Sequence, residues 1–328
     1  MRGPTSTVMR RSFAAALSIA SIAGTWAQAQ EFPSKPVRWI VPYAAGGTSD
    51  FLARFIGQKL TEGWGQNVNV DNRAGAAGNI GTELAAKSPP DGYTILLVAS
   101  TFTMNPSVYG KLPFDVEKDF APITMLLWQP FILAVHPSLP VSNVKQLVAL
   151  AKARPGELNF SSGGSGTSGH IAAELFKSMA GVSLTHVPYR SMAPAVTALL
   201  AGEVHMMFNS PLPDITHVKS GKLKALGVTG RKRLAALPDV PTVDEAGVPG
   251  YVEGNWQGVL APGATPRPIV ARLHQDIARV LRLPELGGRF LKDGVEVIGN
   301  TPEEFAAIIR SDFRKYAELV RRAGIRAD

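Results

Sequence analysis

The stretch VRWIVPYAAGGTSDFLARFIGQKL, residues 37–60, decides the fold class. The apolar run 37–43 reads as a buried strand, AAGG at 44–47 as a turn, and 48–60 as a helix with Leu52, Phe55, Ile56 and Leu60 on one face. Thr48 is a residue type that caps helix starts. The same order recurs downstream: strands read at 67–71, 94–100, 131–136, 158–161, 184–188, 204–208 and 224–229, with helices near 79–87, 143–153, 168–180, 193–201 and 212–220. Continuous apolar strands alternating with amphipathic helices predict an α/β fold built on parallel sheet.

Two extended runs read as passages between lobes. Trp128, Gln129 and Pro130 precede the strand 131–136, and residues 251–260 follow the Pro-rich segment 238–249. Two crossings imply one domain inserted into another: a first lobe of residues 30–129 and 255–328 and a second of 130–254. Helices at 267–282 and 302–323 return to the first lobe. The basic face of the last helix (Arg310, Arg314, Lys315, Arg321, Arg322) is interrupted by Asp312 and Glu318 and reads as solvated.

Composition narrows the function. With 328 residues, 45% apolar and 18% charged, the chain buries a core large enough for one big or two ordinary domains. The absence of Cys excludes disulfides, thiolate metal sites and cysteine nucleophiles. Arg2, Arg10 and Arg11 precede the first acid, Glu31, so loss of residues 1–29 lowers the net charge from +8 to +5. Arg10 and Arg11, an apolar run over 13–24 and the small-x-small triplet Ala27, Gln28, Ala29 predict a secretory signal peptide cleaved after Ala29, of general (Sec) or twin-arginine type. No later segment offers the roughly 20 apolar residues of a membrane span, so a soluble exported protein is expected. Basic patches interleaved with aromatics are missing, which argues against a nucleic-acid partner.

Two loops share one design. The strand 37–43 runs through Gly46 and Gly47 into a helix at Thr48; the strand 158–161 runs through SGGSGTSG, 162–169, into a helix near Ser168. Both offer unpaired backbone N–H groups and hydroxyls at a helix start, a site that binds anions without a formal cation. Residues 164–169 fit GxGxxG letter for letter, but the next strand, 184–188, carries no acidic residue for a ribose, and no GxxxxGK[ST] occurs. GxSxG and HExxH are likewise missing. His136, His186, His205, His217 and His274 are scattered and read as structural. His170, at the start of the second helix, either donates to a ligand or fastens the loop. Arg73, in the third glycine loop (72–81), reads as a brace rather than as a partner of a bound carboxylate.

These segments resemble the Bug (TctC) family of periplasmic solute receptors, the extracytoplasmic components of tripartite tricarboxylate transporters. The resemblance is carried in order by PYAAGGTSDFLAR (42–54), NRAGAAGNIG (72–81), SPPDGYTILLVAS (88–100), NPSVYGKLPFD (105–115), KDFAPIT (118–124), SSGGSGTSGH (161–170), HVPYR (186–190) and LPDVPTVDEAGVPGY (237–251). It implies a type II periplasmic binding protein fold, two α/β lobes around a ligand cleft, joined by two crossover strands. It also implies a ligand carboxylate held by backbone amides and water at the two loops. Position by position it points to Tyr43, Ala45, Gly47 and Thr48 in the first loop and Gly166, Thr167 and Ser168 in the second, with Ser100 and Thr101 also facing the cleft.

The chain departs from the family pattern at His205 and Asn209, where the family usually has Asp, and at Arg190, Ser191 and Met192. Asn209 ends a strand expected at the cleft, and a neutral amide there favours a ligand without an amino group. Trp128 either stacks on an aromatic acid or packs at the hinge. The expectation is a monomeric, non-enzymatic periplasmic receptor for a small organic carboxylate, needing no cofactor, that delivers its ligand to membrane permease subunits. The alternative is a ligand sensor that docks on a membrane signalling protein.

Overall fold

A computed structural model describes residues 32–290 and 294–325, besides Met1 and Gly3. The leader expected over 1–29 therefore falls outside the described residues but for those two. In chain order the first elements are β1 (Val37–Val41), α1 (Thr48–Trp64), β2 (Val68–Asn72), α2 (Asn79–Ala86), β3 (Thr94–Ala99), α3 (Thr101–Tyr109) and β4 (Phe120–Pro130). Next come β5 (Ile132–Val135), α4 (Val144–Ala153), β6 (Asn159–Ser162), α5 (Ser168–Ala180), β7 (Thr185–Pro188), α6 (Met192–Ala201), β8 (Met206–Asn209), α7 (Pro211–Lys219) and β9 (Lys224–Val228). The chain ends with β10 (Gly254–Pro262), α8 (Arg267–Leu281), α9 (Pro284–Phe290), β11 (Glu296–Val297) and α10 (Pro302–Ala323). Local chemistry sets several ends. Gly65, in the left-handed region, closes α1, and a reciprocal box between Thr301 and Glu304 opens α10.

The elements form two sheets, one ordered β11-β4-β10-β3-β1-β2 and the other β7-β6-β8-β5-β9. The α/β class agrees with the sequence, but the sheets are mixed rather than parallel. β1 is parallel to β2 and β3, and β6 to β7 and β8. β10 is antiparallel to β3 and β4, and β5 to β8 and β9. The two-residue β11, antiparallel to β4, runs in the same sense as β10, and the strand arriving from the other sheet, β5 or β10, runs against both its neighbours. Such a strand enters from the end where the local strands finish. Two elements also differ from expectation. The passage at 128–130 is the end of an eleven-residue strand, β4, and α3 follows β3 at once. Phe102, Thr103, Met104, Asn105 and Val108 are all buried, so α3 lacks the one-sided apolar stripe that reveals a helix in sequence.

Each sheet has its own packing. Phe160, Phe176, Phe208 and Tyr251 fill one face of the five-stranded sheet, and Ile132, Met207 and Leu199 the other. Trp256 and Phe305 meet edge-on at 5.3 Å over the six-stranded sheet. A further cluster joins Met104 and Val108 of α3, Ile171 of α5, and Tyr316, Leu319 and Val320 of α10, so helices from the two sheets share one apolar contact.

The crossings run side by side. Phe131 is the single residue between β4 and β5, and the return leads from β9 to β10 through residues 229–253. Buried Thr229 laces them together: its hydroxyl accepts the Phe131 N–H at 2.6 Å and donates to the Glu253 carbonyl at 2.5 Å. Glu253 is itself 2% exposed, accepts the Tyr316 hydroxyl at 2.7 Å and pairs with Lys315. The Trp128 ring lies against Gly254, where a Cβ would come within 2.5 Å of it, so the tryptophan packs at the crossing. Thr229→Val keeps the shape but leaves a buried N–H and a buried carbonyl unpaired. It is expected to cost about 1–3 kcal/mol in urea unfolding, and unchanged stability would contradict this account of the crossing.

Candidate functional site

The first glycine loop leaves β1 at Pro42 and reaches α1 at Thr48. Gly47, not Thr48, occupies the cap position, and no side chain caps the helix. The first-turn N–H groups, which have no partner inside a helix, are thus left to the loop side. Asp50 organises the loop from within the helix, accepting Gly46 N–H at 3.0 Å and Arg54 Nε at 3.0 Å. The Arg54 guanidinium holds its carboxyl below the usual carboxylate range, so it stays ionised. Ala45, Gly47 and Thr48 are exposed. The Tyr43 hydroxyl is spent on the scaffold: it accepts Ala99 N–H at 3.1 Å and lies 3.4 Å from Thr101 Oγ1, and burial raises its pKa.

Thr101, half-buried, opens α3 beside Tyr43. Ser100, expected to face the cleft, has its side chain turned to the scaffold. It is fully buried, already helical in backbone, and donates to Asn255 Oδ1 at 2.8 Å, tying the end of β3 to β10.

The second loop leaves β6 at Ser162 and enters α5 at Ser168, with Thr167 at the cap position. Thr167 does not cap α5 either; its hydroxyl donates back to Gly164 O at 2.8 Å. Gly166 has φ +76°, a backbone that L side chains rarely adopt, and a Cβ there would lie 3.2 Å from Val108 Cγ1 of α3. The two loops therefore meet opposite ends of one helix: Tyr43 at Thr101 and Gly166 at Val108, about 10 Å apart along its axis. Gly166, Thr167 and Ser168 are half-buried. His170 is 5% exposed and its Nδ1 accepts Gly166 N–H at 3.0 Å, so its ring fastens the loop. Ser162 Oγ sits 2.7 Å from His186 Nε2, but Ser162 is fully buried and also bonds Gly164 N–H, so it is no accessible nucleophile.

Arg73 braces β2 through Asp71 at 2.8 Å. Asn209, at the end of β8, is 1% exposed with both polar atoms engaged. Its amide donates to Asp214 Oδ1 at 2.7 Å, and its carbonyl oxygen accepts Ser210 N–H at 2.8 Å. A carboxyl thus stands beside this strand end, supplied five residues later. Sequence reading missed Asp214, His186 and Ser162; the only signal for His186 was its place in the HVPYR segment. Among the described residues no group of three or more His, Asp or Glu could hold a metal ion.

Burial pushes the Asp214 carboxyl up to about 7, and the Asn209 amide only partly offsets this. Its Oδ2 has no hydrogen-bond partner. The folded protein keeps a proton that the unfolded chain releases near pH 4, so this group lowers stability as pH rises from about 4 to 7 and the loss persists above. Asp214→Asn retains the acceptor without the charge. It is expected to raise stability at pH 8 by on the order of a few kcal/mol and to change little at pH 4, read by urea unfolding at both; a variant equally or less stable at pH 8 would contradict the assignment.

Comparison with known proteins places this geometry in a family. Residues 52–325 match the tripartite tricarboxylate transporter family receptor, TctC. A protein encoded in the tcbD-tcbE intergenic region of Pseudomonas sp. (strain P51) is 38% identical over 96% of this chain and 95% of its own. An R. palustris protein solved with adipate shares 35% identity at a TM-score of 0.76, covering 90% of this chain and all of that one. MatC from Rhodopseudomonas palustris, solved with bound malate, shares 29% identity at a TM-score of 0.73 over 88% of this chain and all of its own. The family matched is one of solute-binding receptors, not enzymes. With that family model matching most of the chain and a relative 38% identical over nearly all of it, the chain belongs to the TctC family of tripartite tricarboxylate transporter receptors.

Proposed function

We propose that the protein binds a small organic carboxylate between the helix starts at Thr48 and Ser168 and delivers it to the permease subunits of a tripartite tricarboxylate-type transporter. The observation that carries this reading is that two glycine loops, each leading into a helix start with no side-chain cap, touch the same helix, α3, at Thr101 and at Val108. Each start offers backbone N–H groups and the positive end of a helix dipole, the groups a carboxylate satisfies. Arg54 is paired with Asp50 and Arg73 with Asp71, so recognition rests on amides rather than on a cation.

Residues 30–129 and 255–328 act as one lobe and 130–254 as the inserted second, closing about the Thr229 crossing as hinged receptors do. Contacts to the ligand come from Ala45, Gly47, Thr48 and Thr101 on one side, beside the ring of Tyr43 whose hydroxyl holds the scaffold, and from Gly166, Thr167 and Ser168 on the other. The ligand is a dicarboxylate without an amino group. Two relatives are solved with diacids that carry no amino group, adipate and malate. The protein works as a monomer in the periplasm, exported by the leader over 1–29. Among the described residues no helix is long and apolar enough to cross a membrane.

Thermal unfolding with adipate, malate, tricarboxylates, aromatic monocarboxylates and amino acids tests the reading. A diacid at 100 times its Kd is expected to add about 2.7 kcal/mol of stability, a rise of several degrees. A response to amino acids alone, or silence with no acid released on denaturation, would overturn it. Gly166→Ala, which forces a side chain into the left-handed region against Val108, is expected to weaken diacid binding tenfold or more in calorimetry. Unchanged affinity would remove the second loop from the site.

A further inference from the structure

Two imidazoles from different elements hold the second loop. His170, on α5, takes Gly166 N–H at its Nδ1, 3.0 Å away. His186, on β7, has its Nε2 2.7 Å from Ser162 Oγ, and that hydroxyl accepts Gly164 N–H at 3.2 Å. The two rings stack face to face, centroids 3.8 Å apart and planes within 10°, with the Phe160 ring of β6 stacked 4.9 Å from His186. Both turns of the loop, at Gly164 and Gly166, thus hang from one stacked pair.

The protonation state of His170 follows from its partner. A backbone amide can only donate, so Nδ1 must be the unprotonated nitrogen, and the ring proton of neutral His170 lies on Nε2. Nε2 points to Glu174 Oε1 at 3.7 Å, and Lys177 pairs with the same oxygen at 2.7 Å. Burial opposes ionisation of Glu174, but the hydrogen bonds from His170 and Lys177 outweigh it and hold that carboxyl low. A second proton on His170 has only Nδ1 to occupy, where it would set a donor against the Gly166 donor. The groups that face the ring are Glu174 and Lys177 from its own helix, His186 from β7, and Phe160 from β6. Burial, with the charge of His170 and Lys177 adding to it, pushes His186 down to about 4, so it stays neutral above that pH.

We propose that His170 and His186 are positioning residues for the carboxylate-binding loop, and that protonation of His170 at Nδ1 releases Gly166 and weakens ligand binding in acid. The first half stands on the loop geometry alone; the second rests on the carboxylate reading of this loop.

The experiment uses isotope-labelled, leaderless protein and reads both halves. By NMR, a coupling across the hydrogen bond from the Gly166 amide to His170 Nδ1 is expected at pH 7.5, vanishing as Nδ1 protonates. A protonated Nδ1 at pH 7.5, or a Gly166 amide indifferent to the titration of His170, overturns the proposal. Calorimetry with adipate is then run at pH 7.5 and at the pH where Nδ1 is seen protonated. The wild type is expected to lose tenfold or more between them. His170→Asn, whose Oδ1 accepts the amide without titrating, is expected to lose less than threefold. His186→Phe keeps a stacked ring but frees Ser162, and is expected to bind weakly at both. Equal pH dependence in wild type and His170→Asn overturns the acid release. Adipate failing to bind at either pH, with the coupling present and titrating, counts against the carboxylate reading and leaves the positioning role of the pair standing.

Discussion

The hydroxyl of Thr229 holds the two crossings together, and the layout of the protein depends on that bond. Phe131 passes the chain out of the six-stranded sheet and Glu253 brings it back, and Thr229 bonds the N–H of one and the carbonyl of the other. From this point ties run outward to both sides. Glu253 reaches Lys315 and Tyr316 on α10, and Tyr251 donates to the Ala172 carbonyl of α5 at 2.8 Å. Buried backbone groups must be paired wherever they lie, so two extended strands leaving their sheets need a partner. Each crossing finds it in the other and in one side chain between them.

The loops in turn depend on what surrounds α3. Tyr43 hydrogen-bonds to the end of β3 and lies beside Thr101, while Gly166 rests on Val108 seven residues on. Neither helix start is capped by its own side chain. Threonine stands at Thr48 and Thr167, yet one lies inside its helix and the other bonds back into its loop. A cap would satisfy first-turn N–H groups; without one they stay open at some cost to the helix, which is what the proposed carboxylate site requires.

Titratable groups at this end of the five-stranded sheet are buried and shifted in opposite senses by the same cause. Burial disfavours charge, which raises an acid such as Asp214 and lowers a base such as His186. Glu174 escapes only because Lys177 and His170 compensate it. The Asn209–Asp214 contact satisfies a buried amide at the end of β8 from within the chain. The Asn209 amide donates to the Asp214 carboxyl five residues on, in the first turn of α7, so an acidic group stands at the end of β8.

Much was legible in the sequence. The repeating order of strand, glycine turn and helix determined the α/β class, the positions of α1, α4, α5 and α10, and the two loops, because periodicity and glycine placement are local properties. Arg73 as a brace and His170 as a loop fastener were among the stated readings. What only the tertiary structure decided involves partners far apart in the chain. Strand direction in β5 and β10 depends on which sheet the chain has come from. The burial of Ser100 depends on Asn255, 155 residues away. α3 stayed hidden because neighbours on several sides removed its stripe. The pairing of His170 with His186, and of Asn209 with Asp214, depends on the packing of α5 on β7 and on the turn into α7. Local sequence sets backbone conformation, but hydrogen-bond partners and desolvation are set by whatever the fold brings within 3 Å.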